Sequence, residues 1–162
     1  MTTPIVDFVK KYSADNNLRL HMPGHKGKGF LGIENRDITE IDGADILYNA
    51  KGIIRESENN AAVLFGTKKT VYSTEGSSLA IRAMLYLVKT YAKKLGKNPI
   101  IAAGRNAHKT FVTGCALLGL DVNWLLPQNT KTVISCEINA DFLEGYFSEC
   151  TEKPMAVHVP TP

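Results

Sequence analysis

Cysteine is scarce: Cys115, Cys136 and Cys150 are the only three in 162 residues. An odd number with no Cys-x-x-Cys pair argues against a disulfide framework and reads as reduced thiols. Long apolar runs are missing too, since none approaches the roughly 20 residues that cross a bilayer. The opening MTTPIVDFVKKYSADNN carries Asp7 and two lysines after its apolar residues, which is unlike a signal peptide. Nor does one sign of charge dominate. Nineteen basic residues face 16 acidic ones with no block of like charge, so the net +3 points to neither nucleic acid nor a membrane as partner. Internal repeats and low-complexity segments are absent. The expectation is a cytoplasmic protein.

What is present fits an ordinary globular chain, with 44% hydrophobic and 22% charged residues and enough length for one domain with a real core. TPIVDFVKKYSADN sets Ile5, Val6, Phe8, Val9 and Tyr12 at helical spacing, with Pro4 suited to a first turn. LRLHMPGHKGKGFLG, with one proline and four glycines, reads as an ordered loop, and the chain stays irregular from Asp42 to Gly52. A helix is expected from about Ile54 to Phe65, ended by Gly66. An alternation follows. KKTVYST reads as a strand, Ser77 to Leu95 as a helix closed by Gly96, PIIAAG as a strand, and His108 to Leu118 as a helix closed by Gly119. DVNWLL, a short TVIS and MAVHVP read as further strands, with a helix from Asp141 to Ser148. Continuous apolar strands alternating with helices predict an α/β domain: four or five mostly parallel strands with helices on the faces.

Three motifs carry chemistry. In STEGSS, between the expected strand and the Ser77 helix, Gly76 permits a tight turn, and the free N–H groups of the first helical turn favour an anion. Ser77 and Ser78 add hydroxyl donors; the plain alternative is a serine N-cap. Glu75 opposes the phosphate reading unless it points away. GRNAHKTF lies at the next strand tip, but it fails as a nucleotide P-loop because His108 stands where the second glycine belongs. Successive tips of a parallel sheet face one crevice, so His108 is expected near Ser77. HMPGHKGKG spaces His21 and His25 like a zinc pair, yet Pro23 and Gly24 break the helix that would align them, so no metal is expected. Its histidines, lysines and glycines suit a loop over an anionic ligand, or a basic surface loop. DGAD, Asp42 to Asp45, lacks a calcium-loop pattern, and Leu143, Tyr146 and Phe147 share a helix face that reads as core packing.

HMPGHKG, DITEIDGADILYNAKGII, FGTKKTVYSTEGSS and GRNAHKT, in this order, resemble the N-terminal third of the Orn/Lys/Arg decarboxylase family. The resemblance implies an incomplete aspartate-aminotransferase-like large domain and pyridoxal phosphate as cofactor. It divides the chain into an N-terminal helix with a glycine-rich active-site loop, residues 1–50, and a partial cofactor-binding α/β domain, residues 51–162. By the same resemblance Gly76, Ser77 and Ser78 hold the phosphate and His108, the catalytic candidate, stacks on the pyridine ring. His25 and Lys26 would lie in a loop reaching the substrate or a neighbouring subunit. The reaction implied is decarboxylation of ornithine, lysine or arginine, in a homodimer or higher homo-oligomer.

The family also needs a Schiff-base lysine in a Ser-x-His-Lys segment and a carboxylate in an Asp-x-Ala-His segment, and neither occurs in these 162 residues. Lys109 belongs to the stacking segment, and the phosphate turn reads Ser-Thr-Glu-Gly where Asn-Gly-Ser/Thr is usual. The expectation is therefore an N-terminal portion, inactive alone. Two alternatives stay open: an aminotransferase or other lyase of the same fold, and a non-catalytic binding or dimerising module. A nucleotide-binding protein would rest on the failed P-loop alone.

Overall fold

In a computed structural model, the structure describes residues 1–126 and 135–160, and the chain divides into two compact units, Met1–Tyr72 and Ser73–Pro162. The first unit is built on two helices. Helix α1, Pro4–Ala14, starts on its proline, whose missing N–H costs nothing in a first turn. Helix α2, Ile53–Leu64, packs against it. Thr2 ties the two together, its hydroxyl donating to Glu56 and its carbonyl accepting from the Asn60 amide. Between them the glycine-rich segment is irregular, with short 3-10 turns at Glu34–Arg36 and Leu47–Asn49.

Arg19 pins that segment. Its side chain is buried, its guanidinium donates to the carbonyls of Glu34 (3.1 Å) and Asn35 (2.6 Å), and it lies 4.6 Å over the Tyr12 ring. Gly27 runs so close to it that a Cβ would stand 2.7 Å from the guanidinium carbon.

The second unit alternates helices and strands in sequence: α3 Gly76–Lys94, β1 Ile100–Gly104, α4 Lys109–Leu118, β2 Asp121–Leu125, α5 Ala140–Glu149 and β3 Ala156–His158. The sheet order is β2-β1-β3 and both pairings are parallel, with Ile101 opposite Val122 and Ala156. The central strand is the continuously apolar one, buried from Ile101 to Gly104, because it has neighbours on both sides. Leu85 of α3, Phe111 and Cys115 of α4, and Ile101 and Ala103 of β1 form the core. Phe111 is fully buried, stacked on His158 at 4.3 Å and edge-on to Trp124 at 6.4 Å. Helices α2, α3 and α4 close on Gly66, Gly96 and Gly119, all in the left-handed region expected of helix stops.

KKTVYST is not a strand in the described structure. The Tyr72 N–H goes to the Glu58 carboxylate at 3.1 Å rather than to a neighbouring strand, and the Thr67 and Thr70 hydroxyls pair with each other. The segment pairs with none of the three described strands. TVIS lies outside the described residues apart from Ser135. The described sheet therefore has three strands, where four or five were expected.

Candidate functional site

Helix α3 begins at Gly76, whose φ of +63° is a left-handed conformation that other residues adopt only at a cost. Nothing lies within 4 Å of where its Cβ would be, so the turn is open on that side. Glu75, at the N-cap, is exposed and makes no side-chain capping bond. Ser73 orders the turn from below: its hydroxyl accepts from the Glu75 N–H at 3.3 Å and donates to the Gly76 carbonyl at 3.1 Å. By contrast α4 and α5 are capped by side chains, His108 accepting from Thr110 N–H and Asn139 from Phe142 N–H. A helix start with no side-chain cap keeps N–H donors and the positive end of its dipole for something else.

His108 follows the tip of β1 and is exposed. The expected nearness of Ser77 and His108 is realised through their neighbours. Ser78 Oγ lies 3.2 Å from Thr110 Oγ1, and Thr110 Oγ1 lies 3.1 Å from His108 Nδ1. The start of α3 and the start of α4 thus meet at the carboxyl end of β1, where parallel α/β domains gather ligand groups. Ser77 is exposed and Ser78 half-buried. Chemically the set offers an anion seat beside a flat, accessible imidazole.

Sequence reasoning missed Thr110, although the signal was there: a hydroxyl two residues after a histidine at a helix start is placed to bond it. It also missed the use of Asp45. This residue caps α2 from outside the helix, its Oδ2 accepting from the N–H groups of Gly52 (2.8 Å), Ile54 (3.0 Å) and Arg55 (3.4 Å). Its Oδ1 accepts from Ile46 and Lys51, both at 2.9 Å. The backbone N–H of Lys51, with those of the neighbouring residues, holds the Asp45 carboxyl well below the usual carboxylate range despite some desolvation.

His25 and Lys26 belong to the first unit and serve its loop. Nδ1 of His25 accepts from the Gly27 N–H at 2.9 Å, which leaves the ring proton on Nε2, 3.1 Å from Asp37 Oδ2. Both ring nitrogens are committed. Hydrogen bonds from Thr39, and then His25, bring the Asp37 carboxyl down to about 2. Lys26 is exposed and its ammonium donates to the His21 carbonyl at 3.1 Å. A hollow of about 510 Å³ lies alongside, lined by His25, Leu31, Ile33, Glu34, Arg36 and Asp37. The three cysteines are unbridged, and burial raises the Cys115 thiol. Among the described residues no helix is long and apolar enough to cross a membrane.

The class the fold defines is a parallel α/β domain, with an uncapped helix start and an exposed histidine near each other at the sheet's carboxyl edge. The chain belongs to the Orn/Lys/Arg decarboxylase family, whose major domain matches residues 3–158. It is similar to the arginine decarboxylase of Bacillus subtilis (strain 168), 34% identical over 128 residues, covering 72% of this chain and 25% of that protein. The arginine decarboxylases of Bacillus cereus and Halalkalibacterium halodurans are each 30% identical over 136 residues, covering 78% of this chain and 28% and 26% of those proteins. The matched stretch thus spans about a quarter of the relatives' length.

Proposed function

We propose that this chain supplies the cofactor-holding part of a pyridoxal-phosphate-dependent decarboxylase of basic amino acids, acting in the cytoplasm. The observation that carries the reading is the hydrogen-bonded run Ser78–Thr110–His108, which joins an uncapped helix start to an accessible imidazole. The residues fit the group. A phosphate monoester wants N–H and O–H donors at a positive helix end, which Gly76, Ser77 and Ser78 offer. A flat aromatic ring wants a flat partner, which His108 offers. When bound, the cofactor supplies an electron sink as the substrate carboxylate departs as CO2. The chain's own part is to hold the phosphate at the start of α3 and to fix the ring's tilt through His108. Lys26, with its exposed ammonium, is the group of the glycine-rich loop suited to an anionic ligand, and His25 orders that loop. The relatives' printed names favour arginine as the substrate, and the family's description adds ornithine and lysine. A second copy of the chain is the expected partner.

The covalent lysine and the carboxylate for the pyridine nitrogen have no counterpart among these residues, so the chain by itself is expected to release no amine. The test is an amine assay on arginine, lysine and ornithine, with pyridoxal phosphate added, for the natural protein that carries this chain. Amine formation there, cut on the order of 10²-fold by His108→Ala, supports the reading. Keto-acid product would move it to an aminotransferase, and no product with intact cofactor binding would favour a binding module. Amine released by the 162-residue chain alone would refute the expectation of inactivity.

A further inference from the structure

The two ends of the proposed site meet at one buried hydroxyl, and its hydrogen bonds have a direction. Thr110 is only 6% exposed. Its backbone N–H donates to His108 Nδ1 at 3.2 Å, so Nδ1 is an acceptor and the ring proton sits on Nε2. Thr110 Oγ1 lies 3.1 Å from that same Nδ1. With no proton on the nitrogen, this contact is favourable only if the threonine hydroxyl donates. A hydroxyl has a single proton, so towards Ser78, at 3.2 Å, Thr110 must accept. The order is therefore Ser78 O–H to Thr110 Oγ1, and Thr110 O–H to His108 Nδ1.

This order separates two serines that the sequence leaves equivalent. Ser78 has its proton committed inward to Thr110, whereas exposed Ser77 has no such partner among the described residues. We propose that Thr110 is a positioning residue linking the phosphate end of the site to the ring end, with Ser77 as the hydroxyl donor to the phosphate and Ser78 acting through Thr110 on His108. The proposal rests on the cofactor reading above. It adds that the hydroxyl at position 110 makes the orientation of the His108 ring answer to Ser78.

The first arm of the test needs no cofactor: ¹⁵N NMR of the His108 ring in the 162-residue chain. Ser78→Ala is expected to move the Nδ1 resonance when Thr110 is present and to leave it unmoved in the Thr110→Val background. Thr110→Ser, which keeps the hydroxyl, restores the response and controls for folding. An Nδ1 resonance indifferent to Ser78→Ala, or one that moves equally in the Thr110→Val background, overturns the link. The second arm is pyridoxal-phosphate affinity by titration. Ser77→Ala is expected to weaken it by about 10-fold or more, as loss of a hydrogen bond to a charged group does, and Ser78→Ala by less than about 3-fold on the same scale. Equal or reversed losses overturn the assignment of the two serines. Failure of the unmutated chain to bind the cofactor overturns the cofactor reading itself, whereas intact binding with an unresponsive His108 ring overturns Thr110's role alone.

Discussion

Single side chains in this protein are set by how many donors they collect. Asp45 sits at a φ of +67°, strained for a residue other than glycine, and five N–H groups hold it there. Asp45→Ala is expected to lower the thermal midpoint of the first unit and to fray the start of α2, read by loss of amide protection at Ile54 and Arg55. Asp37 gives a pH signature. Its folded carboxyl is depressed from the ordinary 3.8 to about 2, so its contribution is fully present above 3.8 and is lost as the pH falls towards 2. Acid unfolding of Asp37→Asn is expected to be shallower across that window, and an unchanged profile would contradict the assignment. His158 behaves oppositely in charge. Burial depresses its imidazole, so the folded state resists protonation, and stability falls as the pH drops below about 6.5, the unfolded value. His158→Phe preserves the stack on Phe111 and is expected to flatten stability against pH just below that point.

At the scale of elements, α3 and α4 owe their close approach to a missing side chain. A Cβ on Gly114 would stand 2.7 Å from Leu85 Cδ1, so the fully buried leucine side chain would have to shift. Gly114→Ala gains about 1 kcal/mol of helix propensity and incurs about 1–3 kcal/mol of overpacking. A net loss of up to about 2 kcal/mol follows, measurable by denaturant midpoint; stabilisation would show that the helices are looser than described. Helices α1 to α4 were legible in the sequence because each carried local punctuation, Pro4 at a start and Gly66, Gly96 and Gly119 at stops; α5 was legible through its apolar residues at helical spacing. The Lys68–Tyr72 segment was not, because strand-forming side chains say nothing about whether a partner edge exists. Asp45 was illegible for a related reason, since it lies seven residues before the first N–H of the α2 turn that it caps, Gly52, beyond any local capping pattern.

For the whole molecule, a parallel sheet alternating with helices followed from α/β logic. The Ser77 and His108 segments were expected to meet as successive strand tips, yet of the two only β1 is a strand, and the packing of α3 against α4 brings them together. The hydrogen-bond order through Thr110 could not follow, because spacing brings segments together without saying which atom donates. The account stands or falls on whether the start of α3 receives a phosphate. The direct measurement is the affinity of the chain for pyridoxal phosphate against pyridoxal, which keeps the ring and lacks the phosphate. The account predicts that pyridoxal phosphate binds about 10-fold tighter or more, the worth of charge-assisted hydrogen bonds, and that Ser77→Ala narrows the gap. Equal affinity for the two, or a gap untouched by Ser77→Ala, would contradict it.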